Sequence, residues 1–196
     1  MRKQIEDGCI QWFKTLLETC SPGWIAGGAV RDYFARMNCE SDIDVFFRSQ
    51  EDVNTAAVAM ANLSGARLIY SNDTAVGYVY KGREVQLIQR HFFGSPQETI
   101  AAFDFTVCCC AVDLNGTYAH EHFADDLAGR RLAINSLPFP LSTLERLQRY
   151  VRKGFLACNG TLLEIARAIQ SLDLQNPQEN TLTFYPNGVA RFARYD

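Results

Sequence analysis

The chain has 196 residues, 47% of them hydrophobic and 21% charged, and its formal net charge is −3 at pH 7. This composition is typical of a globular protein and excludes a disordered or collagen-like chain. Because the charge balance is acidic, it also excludes a protein that coats nucleic acid through bulk positive charge. Any RNA or DNA contact would need a local basic patch.

The seven cysteines include three consecutive ones at 108–110 and form no C-x-x-C pair. An odd count with this spacing argues against a disulfide framework or a zinc knuckle. The N-terminus starts with mixed charges, and no segment approaches the roughly 18 apolar residues of a membrane span. We therefore predict a cytoplasmic protein without membrane contact; the sequence leaves its oligomeric state open.

Apolar spacing and turn residues predict the following elements in chain order. Helices are predicted over residues 4–20, 29–37, 50–63, after Ser95, from Ser142 and over residues 162–172. Strands are predicted for residues 24–26, 43–47, 67–70, 76–80, 84–88 and 105–112. The sum is an α+β fold, with one domain over residues 1–140 and a short helical annex and tail over residues 141–196.

Gly27 and Gly28 lie between a predicted strand and a predicted helix. Glycine lets the backbone approach a ligand closely, and a helix start offers free N–H groups and a positive dipole end to a phosphate. The alternative is that the pair only shapes the turn, which is common in β–α connections.

Asp42 and Asp44 are two residues apart on a predicted strand, so both carboxylates point to one face, roughly 7 Å apart. Two such carboxylates attract a divalent cation, and Mg²⁺ prefers one or two carboxylates together with phosphate oxygens. Paired metal ions about 4 Å apart clamp the attacking and leaving oxygens of a phosphoryl transfer. The alternative is a solvated strand end.

Together, the segment Gly27-Gly28-Ala29-Val30-Arg31-Asp32 and the following Ser41-Asp42-Ile43-Asp44 resemble the signature of class II tRNA nucleotidyltransferases and poly(A) polymerases, in the polymerase β superfamily. The similarity continues in order through residues 81–90, 98–108, 125–130 and 146–152. It implies a compact polymerase-β-type domain, with a mixed sheet flanked by helices and followed by a neck-like annex. The implied activity moves a nucleoside monophosphate from a nucleoside triphosphate to a hydroxyl, with Mg²⁺ or Mn²⁺ as cofactor and pyrophosphate as product.

The resemblance also implies roles for individual residues. Asp42 and Asp44 would hold the metal, and Glu84 would position the attacking hydroxyl or act as base. The nucleotide contacts would be Gly27, Gly28, Arg31, Asp104, Arg146 and Arg149. Two alternatives remain open from the residues themselves: Glu84 as a solvent-facing edge residue, and Arg31 paired with Asp32 or Asp44 to brace the turn.

This chain departs from the family where its motif has two arginines and an asparagine, because Ala102, Phe103 and Cys108 stand there. In the family those residues help to hold the sugar and phosphates. Each lost charge-assisted hydrogen bond removes about 1.5–3 kcal/mol. A catalytically retired nucleotide-binding or interaction module is therefore the alternative to an active enzyme.

Arg146, Arg149, Arg152 and Lys153 recur at steps of three and four, which predicts a basic stripe on one helix. Such a stripe could bind RNA or the triphosphate; the alternative is a solvated helix face.

The resemblance implies that the acceptor is an RNA 3′ end, above all that of a tRNA, and that the protein acts in tRNA processing. The alternative acceptor is a protein or a small molecule, which the acidic net charge and the short chain favour. Since the family's tRNA-holding body is not evident, a full CCA-adding enzyme is not expected from this chain alone.

Two weaker patterns remain. His120 and His122 alternate on a possible strand and lie near Asp125-Asp126 in sequence, so a metal site is conceivable there, although this pattern is a weak signal. Cys108 and Cys110 lie in an apolar segment and are predicted to be core residues.

Overall fold

The computed structural model describes residues 8–35 and 41–172, with only the backbone described for residues 8–12. Its helices are α1 Gly8–Thr19, α2 Gly28–Phe34, α3 Gln50–Asn62, α4 Pro96–Ala101, α5 Phe123–Ala128, α6 Pro140–Arg152 and α7 Asn159–Gln170. Its strands are β1 Trp24–Ala26, β2 Ile43–Phe46, β3 Ala66–Ser71, β4 Ala75–Tyr80, β5 Arg83–Ile88, β6 Cys110–Asp113 and β7 Gly116–Ala119. Predicted helical residues 4–7 and 36–37 and the tail from residue 173 lie outside the described residues.

The seven strands form one sheet in the order β3-β4-β5-β2-β1-β6-β7. The pair β2–β5 is parallel, whereas the other five strand pairs are antiparallel. The sheet is therefore mixed and flanked by helices, which confirms the predicted α+β fold class. The parallel pair at the centre places the acidic segments of β2 and β5 side by side.

The two faces of the sheet are covered differently. One face packs against α1 and α3 through the largest hydrophobic cluster, which includes Leu16, Val45, Met60 and Leu87. The opposite face carries a smaller cluster around Trp24 and leaves the region over β2 and β5 open. The open face is therefore the one on which a ligand can reach the strands.

A third cluster joins the two C-terminal helices to the segment before β6. It contains Leu147 of α6 and Ile165 of α7 together with Phe105, Val107 and Phe155. This packing holds α6 beside the open face of the sheet. The domain boundary near residue 140 stays a prediction.

The predicted strand over residues 105–112 is split in the structure. Thr106–Cys108 form a 3₁₀ turn, and the strand proper is Cys110–Asp113. The Thr106 hydroxyl donates to the buried Asp126 carboxylate at 2.7 Å, which holds this stretch out of the sheet. A short buried apolar run does not reveal from its periodicity whether it is a strand or a tight turn. Cys108 and Cys110 are buried, as predicted, and Cys109 between them is buried as well.

None of the helices within residues 8–35 and 41–172 combines the length and apolar character required to cross a bilayer.

Candidate active site

The predicted carboxylates lie on the open face of the sheet. Asp44 is half-buried within β2, and the exposed Asp42 immediately precedes that strand. In the parallel pair, Asp44 is opposite Gln86 of β5. Since side chains alternate along both strands, moving two residues back on each places Asp42 beside Glu84 on the same face. The structure thus brings all three predicted catalytic residues together.

Two residues that the sequence analysis missed donate hydrogen bonds to these carboxylates. The Gln86 side-chain amide donates to Asp42 Oδ2 at 3.2 Å and to Glu84 Oε1 at 3.0 Å. The Tyr70 hydroxyl donates to the same Glu84 oxygen at 2.8 Å. Gln86 could have been found, because it is two residues from Glu84 on a predicted strand. Tyr70 lies on β3 and carries no such signal.

The three carboxylates of the site are close enough to repel one another. Burial, followed by repulsion from Asp42 and Glu84, raises the pKa of Asp44 to about 7. Burial and Glu84 also raise the pKa of Asp42, against the opposing effect of nearby cations on β5 and α6. A divalent cation between such groups would relieve this repulsion.

The donor set fits a cation that is shared with a ligand. Within the described residues, no three His, Cys, Asp or Glu side chains form a group that could hold a metal ion by themselves. Two carboxylates are nevertheless the protein contribution that Mg²⁺ uses when phosphate oxygens complete its shell. Asp42 and Asp44 are the residues that would hold it. His120 and His122 likewise belong to no such group within the described residues. The His120 Nδ1 accepts the His122 backbone N–H at 3.1 Å.

The glycine turn is held close to the carboxylates by its backbone geometry. Gly27 has φ +81°, which favours glycine, and its N–H donates to the carbonyl of Cys110 at 3.0 Å. A Cβ on Gly28 would come within 3.1 Å of the Ser41 Oγ. The dihedral angle of Gly27 therefore favours glycine, whereas a side chain at Gly28 would make a tight contact with the segment that leads to Asp42.

A cleft of about 640 Å³ opens over this face. Its lining includes five predicted site residues: Gly27, Gly28, Asp44, Asp104 and Arg146. The rest of its lining includes six aromatic side chains, Phe46, His91, Phe93, Phe103, Phe139 and Tyr150, together with Arg90 and other polar and apolar residues. The cleft thus has an acidic floor and an aromatic wall. A smaller cavity of about 160 Å³ lies between α1 and β6, away from the carboxylates.

Arg31 lies beneath the turn rather than in the cleft lining. Its guanidinium is 1% exposed and donates to Asp32 Oδ1 at 2.9 and 2.6 Å. It also stacks over the Tyr150 ring at 4.9 Å. Of the two interpretations left open by the sequence, the observed pairing with Asp32 is the one that braces the turn. For Arg31 to contact a phosphate directly, its buried ion pair with Asp32 would have to break.

Three of the four predicted stripe residues, on α6 and at its C-terminal Lys153, lie beside polar or acidic groups of the segments around the site. Arg146 forms an ion pair with Asp104 at 2.5 Å, and the Lys153 ammonium donates to Ser41 Oγ at 3.2 Å. Arg149 is close enough to lower the pKa of Asp42. The stripe therefore contributes positive potential at the site, and Arg152 is exposed beyond it.

The residues that depart from the family motif lie together at the cleft. Ala102 and Phe103 form part of its wall, and the Phe103 ring packs edge-on against Phe46 at 5.8 Å. The Cys108 Sγ lies 3.4 Å from Arg31 and 3.1 Å from the Tyr150 hydroxyl. Where the resemblance would place cations, this chain has an aromatic surface.

A family model described as "Gad2: Gabija anti-defense 2 family protein" matches residues 2–130. The chain belongs to the Gabija anti-defense 2 family. It is 28% identical over 158 residues to Gabija anti-defense 2 of Bacillus phage SPbetaL7. That alignment covers 79% of this chain and 39% of the phage protein, so the chain matches about two fifths of its relative's length.

Solved CCA-adding enzymes share the fold of this Gabija anti-defense 2 chain. An apo CCA-adding enzyme superposes with a TM-score of 0.64 at 19% identity, covering 85% of this chain and 43% of the enzyme. The Thermotoga maritima CCA-adding enzyme complexed with tRNA gives 0.59 at 17% identity, covering 86% and 43%. A CCA-adding enzyme complex with CTP gives 0.61 at 18%, covering 85% and 42%. The likeness confirms the polymerase-β-type nucleotidyltransferase fold; the tRNA and CTP belong to those proteins.

Proposed function

We propose that this Gabija anti-defense 2 chain is a metal-dependent nucleotidyltransferase that moves a nucleoside monophosphate from a nucleoside triphosphate to a hydroxyl. The observation that carries the proposal is the placement of Asp42 and Asp44 on one face, beside Glu84 and below a cleft that starts at the glycine turn. No other group in residues 8–35 and 41–172 offers this combination of acidic face and open cleft.

Each part of the site would then have one task. Asp42 and Asp44 hold Mg²⁺, which when bound neutralises charge on the reacting phosphates. Gly27 and Gly28 let the triphosphate approach the backbone, and the aromatic wall packs against the nucleoside. Glu84 orients the attacking hydroxyl and accepts its proton as pyrophosphate leaves. Positioning and charge neutralisation provide most of the acceleration in such transfers, so no covalent intermediate on the protein is required.

The acceptor is proposed to be an RNA 3′ end. The solved relatives named as tRNA-processing and CCA-adding enzymes support this choice, as does the basic potential of α6. The family description supports a biological role against the Gabija defence. If the nucleoside monophosphate were instead transferred to a protein of that defence, the proposed acceptor would change but the proposed transfer chemistry would not.

A nucleotide-binding module without turnover is the second candidate. The observation that favours it is that Ala102 and Phe103 line the cleft and offer the triphosphate no cation at these two positions. Such a module would bind nucleotides through the cleft without transferring them.

The test is a transfer assay with each α-labelled nucleoside triphosphate in turn, with Mg²⁺ or Mn²⁺. Total tRNA and a protein extract are offered as separate acceptors. We expect label on RNA that depends on Asp42, so Asp42→Asn abolishes it, whereas Asp125→Asn at an exposed aspartate of α5 does not. Equal transfer by wild type and Asp42→Asn would refute the metal assignment. Nucleotide binding without any transfer would favour the module.

A further inference from the structure

Tyr70 reaches the catalytic face because β3 contains a bulge. Leu68 is opposite Tyr78 on β4, but Tyr70 is opposite Gly77, so one extra residue lies between them. A regular antiparallel register would have placed Tyr70 opposite Val76, which belongs to the core on the other face. Residues directly opposite one another share a face, so the bulge turns Tyr70 toward the side of the carboxylates.

Gly77 provides the space that Tyr70 needs. A Cβ at this position would overlap the tyrosine ring. Gly77 is also opposite Gln86, which in turn is opposite Asp44. The ring therefore lies across the glycine of β4, and its hydroxyl reaches Glu84 on β5. Glycine inside a strand commonly marks such a close approach.

The two oxygens of Glu84 are in different situations. Oε1 accepts hydrogen bonds from the Tyr70 hydroxyl at 2.8 Å and from the Gln86 amide at 3.0 Å. Oε2 accepts none from the part of the chain that the structure describes. Two neutral donors thus fix the carboxylate through one oxygen and leave the other to interact with a ligand.

We propose that Tyr70 is a positioning residue that orients Glu84 toward the acceptor hydroxyl. This inference rests on the proposed nucleotidyl transfer. In that reaction the acceptor oxygen forms a bond to the α-phosphorus, the bond to pyrophosphate breaks, and Glu84 Oε2 takes the hydroxyl proton. Tyr70 touches neither substrate; it holds the carboxylate in the orientation that receives the proton.

The matched pair of variants is Tyr70→Phe and Tyr78→Phe. Each removes one phenolic hydroxyl that donates a hydrogen bond, but that of Tyr78, a buried core residue, donates to the Ala57 carbonyl, away from the site, at 2.9 Å. We expect Tyr70→Phe to lower kcat about tenfold because one hydrogen bond to the carboxylate is lost. The triphosphate KM and Kd should change less than about twofold, since Glu84 serves the acceptor. Gly77→Ala, which displaces the ring, should reproduce the kcat loss.

A double-mutant cycle with Glu84→Gln decides whether the effect passes through Glu84. Tyr70→Phe should add less than about twofold in the Glu84→Gln background. An equal loss in both backgrounds, an equal loss in Tyr78→Phe, or full activity in Glu84→Gln would each overturn the inference while leaving the transfer reaction established. If Glu84→Gln falls below detection, the comparison with Tyr78→Phe decides. A wild type without transfer overturns both the inference and the proposed function.

Discussion

The floor of the cleft keeps the motif residues of the nucleotidyltransferases that this chain resembles, whereas the wall departs from them. The floor keeps Asp42, Asp44 and Glu84 on one face, with Gln86 bridging between them. The wall replaces the expected cations with Ala102 and Phe103, which join an aromatic surface. The carboxylates lie on or beside β2 and β5, whereas Ala102 and Phe103 follow α4, so the wall can change without moving the carboxylates.

Asp44→Asn addresses the floor and should have the largest effect. It removes one of the two carboxylates proposed to hold the metal, and we expect transfer to fall by about a thousandfold or more. Nucleotide affinity measured without metal should stay within a few fold, because the wall is unchanged. The measurement is the initial rate of label transfer, with Asp125→Asn as the control; a rate near that of wild type would show that Asp44 does not hold the metal.

The same substitution should stabilise the metal-free fold. Burial and like charges raise the pKa of Asp44 to about 7, above the value of an unfolded aspartate. The folded state therefore binds the proton more tightly, and this contribution to stability is present below about pH 4 and lost as pH rises toward 7. Chemical denaturation in a metal chelator should show Asp44→Asn more stable than wild type by about 1–3 kcal/mol at pH 8. An equal stability difference at pH 4 and pH 8 would contradict the titration argument.

Phe103→Ala addresses the wall. Stacking of a base on an aromatic side chain is worth about 1–3 kcal/mol, so nucleotide Kd should rise roughly five- to a hundredfold. The turnover that remains at saturating nucleotide should change much less. The control is Phe92→Ala, because Phe92 is exposed and does not line the cleft. If Phe103→Ala instead lowers kcat at unchanged Kd, the wall does not bind the nucleoside.

Lys153→Met tests the contact between the end of α6 and the segments around Ser41 and Asp32, and it should have the smallest effect. It removes the contact with Ser41 Oγ and a cation 3.7 Å from Asp32 Oδ2, while Arg31 still pairs with Asp32. We expect a loss of about 1 kcal/mol in stability and a severalfold lower rate. Thermal unfolding measures the loss of stability and the label-transfer assay measures the rate, with Arg152→Met at an exposed residue as the control. A loss above about 3 kcal/mol would mean that Lys153 supports the core rather than the site.

The acidic floor could be predicted from the sequence because it depends only on strand periodicity. Asp42 and Asp44 are two residues apart, and Glu84 and Gln86 repeat that spacing on β5. Alternation of side chains places each pair on one face whatever the details of packing. The parallel pairing of β2 with β5 then brings the two pairs together.

The remaining features depend on tertiary contacts that no local pattern encodes. Tyr70 reaches Glu84 only through the bulge in β3 and the space above Gly77. Arg31 has a long side chain that could reach either the cleft or Asp32, and only packing against Tyr150 decides between them. The 3₁₀ turn at residues 106–108 likewise depends on a hydrogen bond to Asp126, which lies 20 residues away in sequence.

The most direct test of the account is the stoichiometry of transfer in one reaction. Labelled nucleoside monophosphate incorporated into the acceptor and pyrophosphate released are measured together, for wild type and Asp42→Asn. The account predicts equal amounts of both products with wild type and neither with the variant. Nucleotide breakdown without incorporation, or equal incorporation by Asp42→Asn, would contradict it.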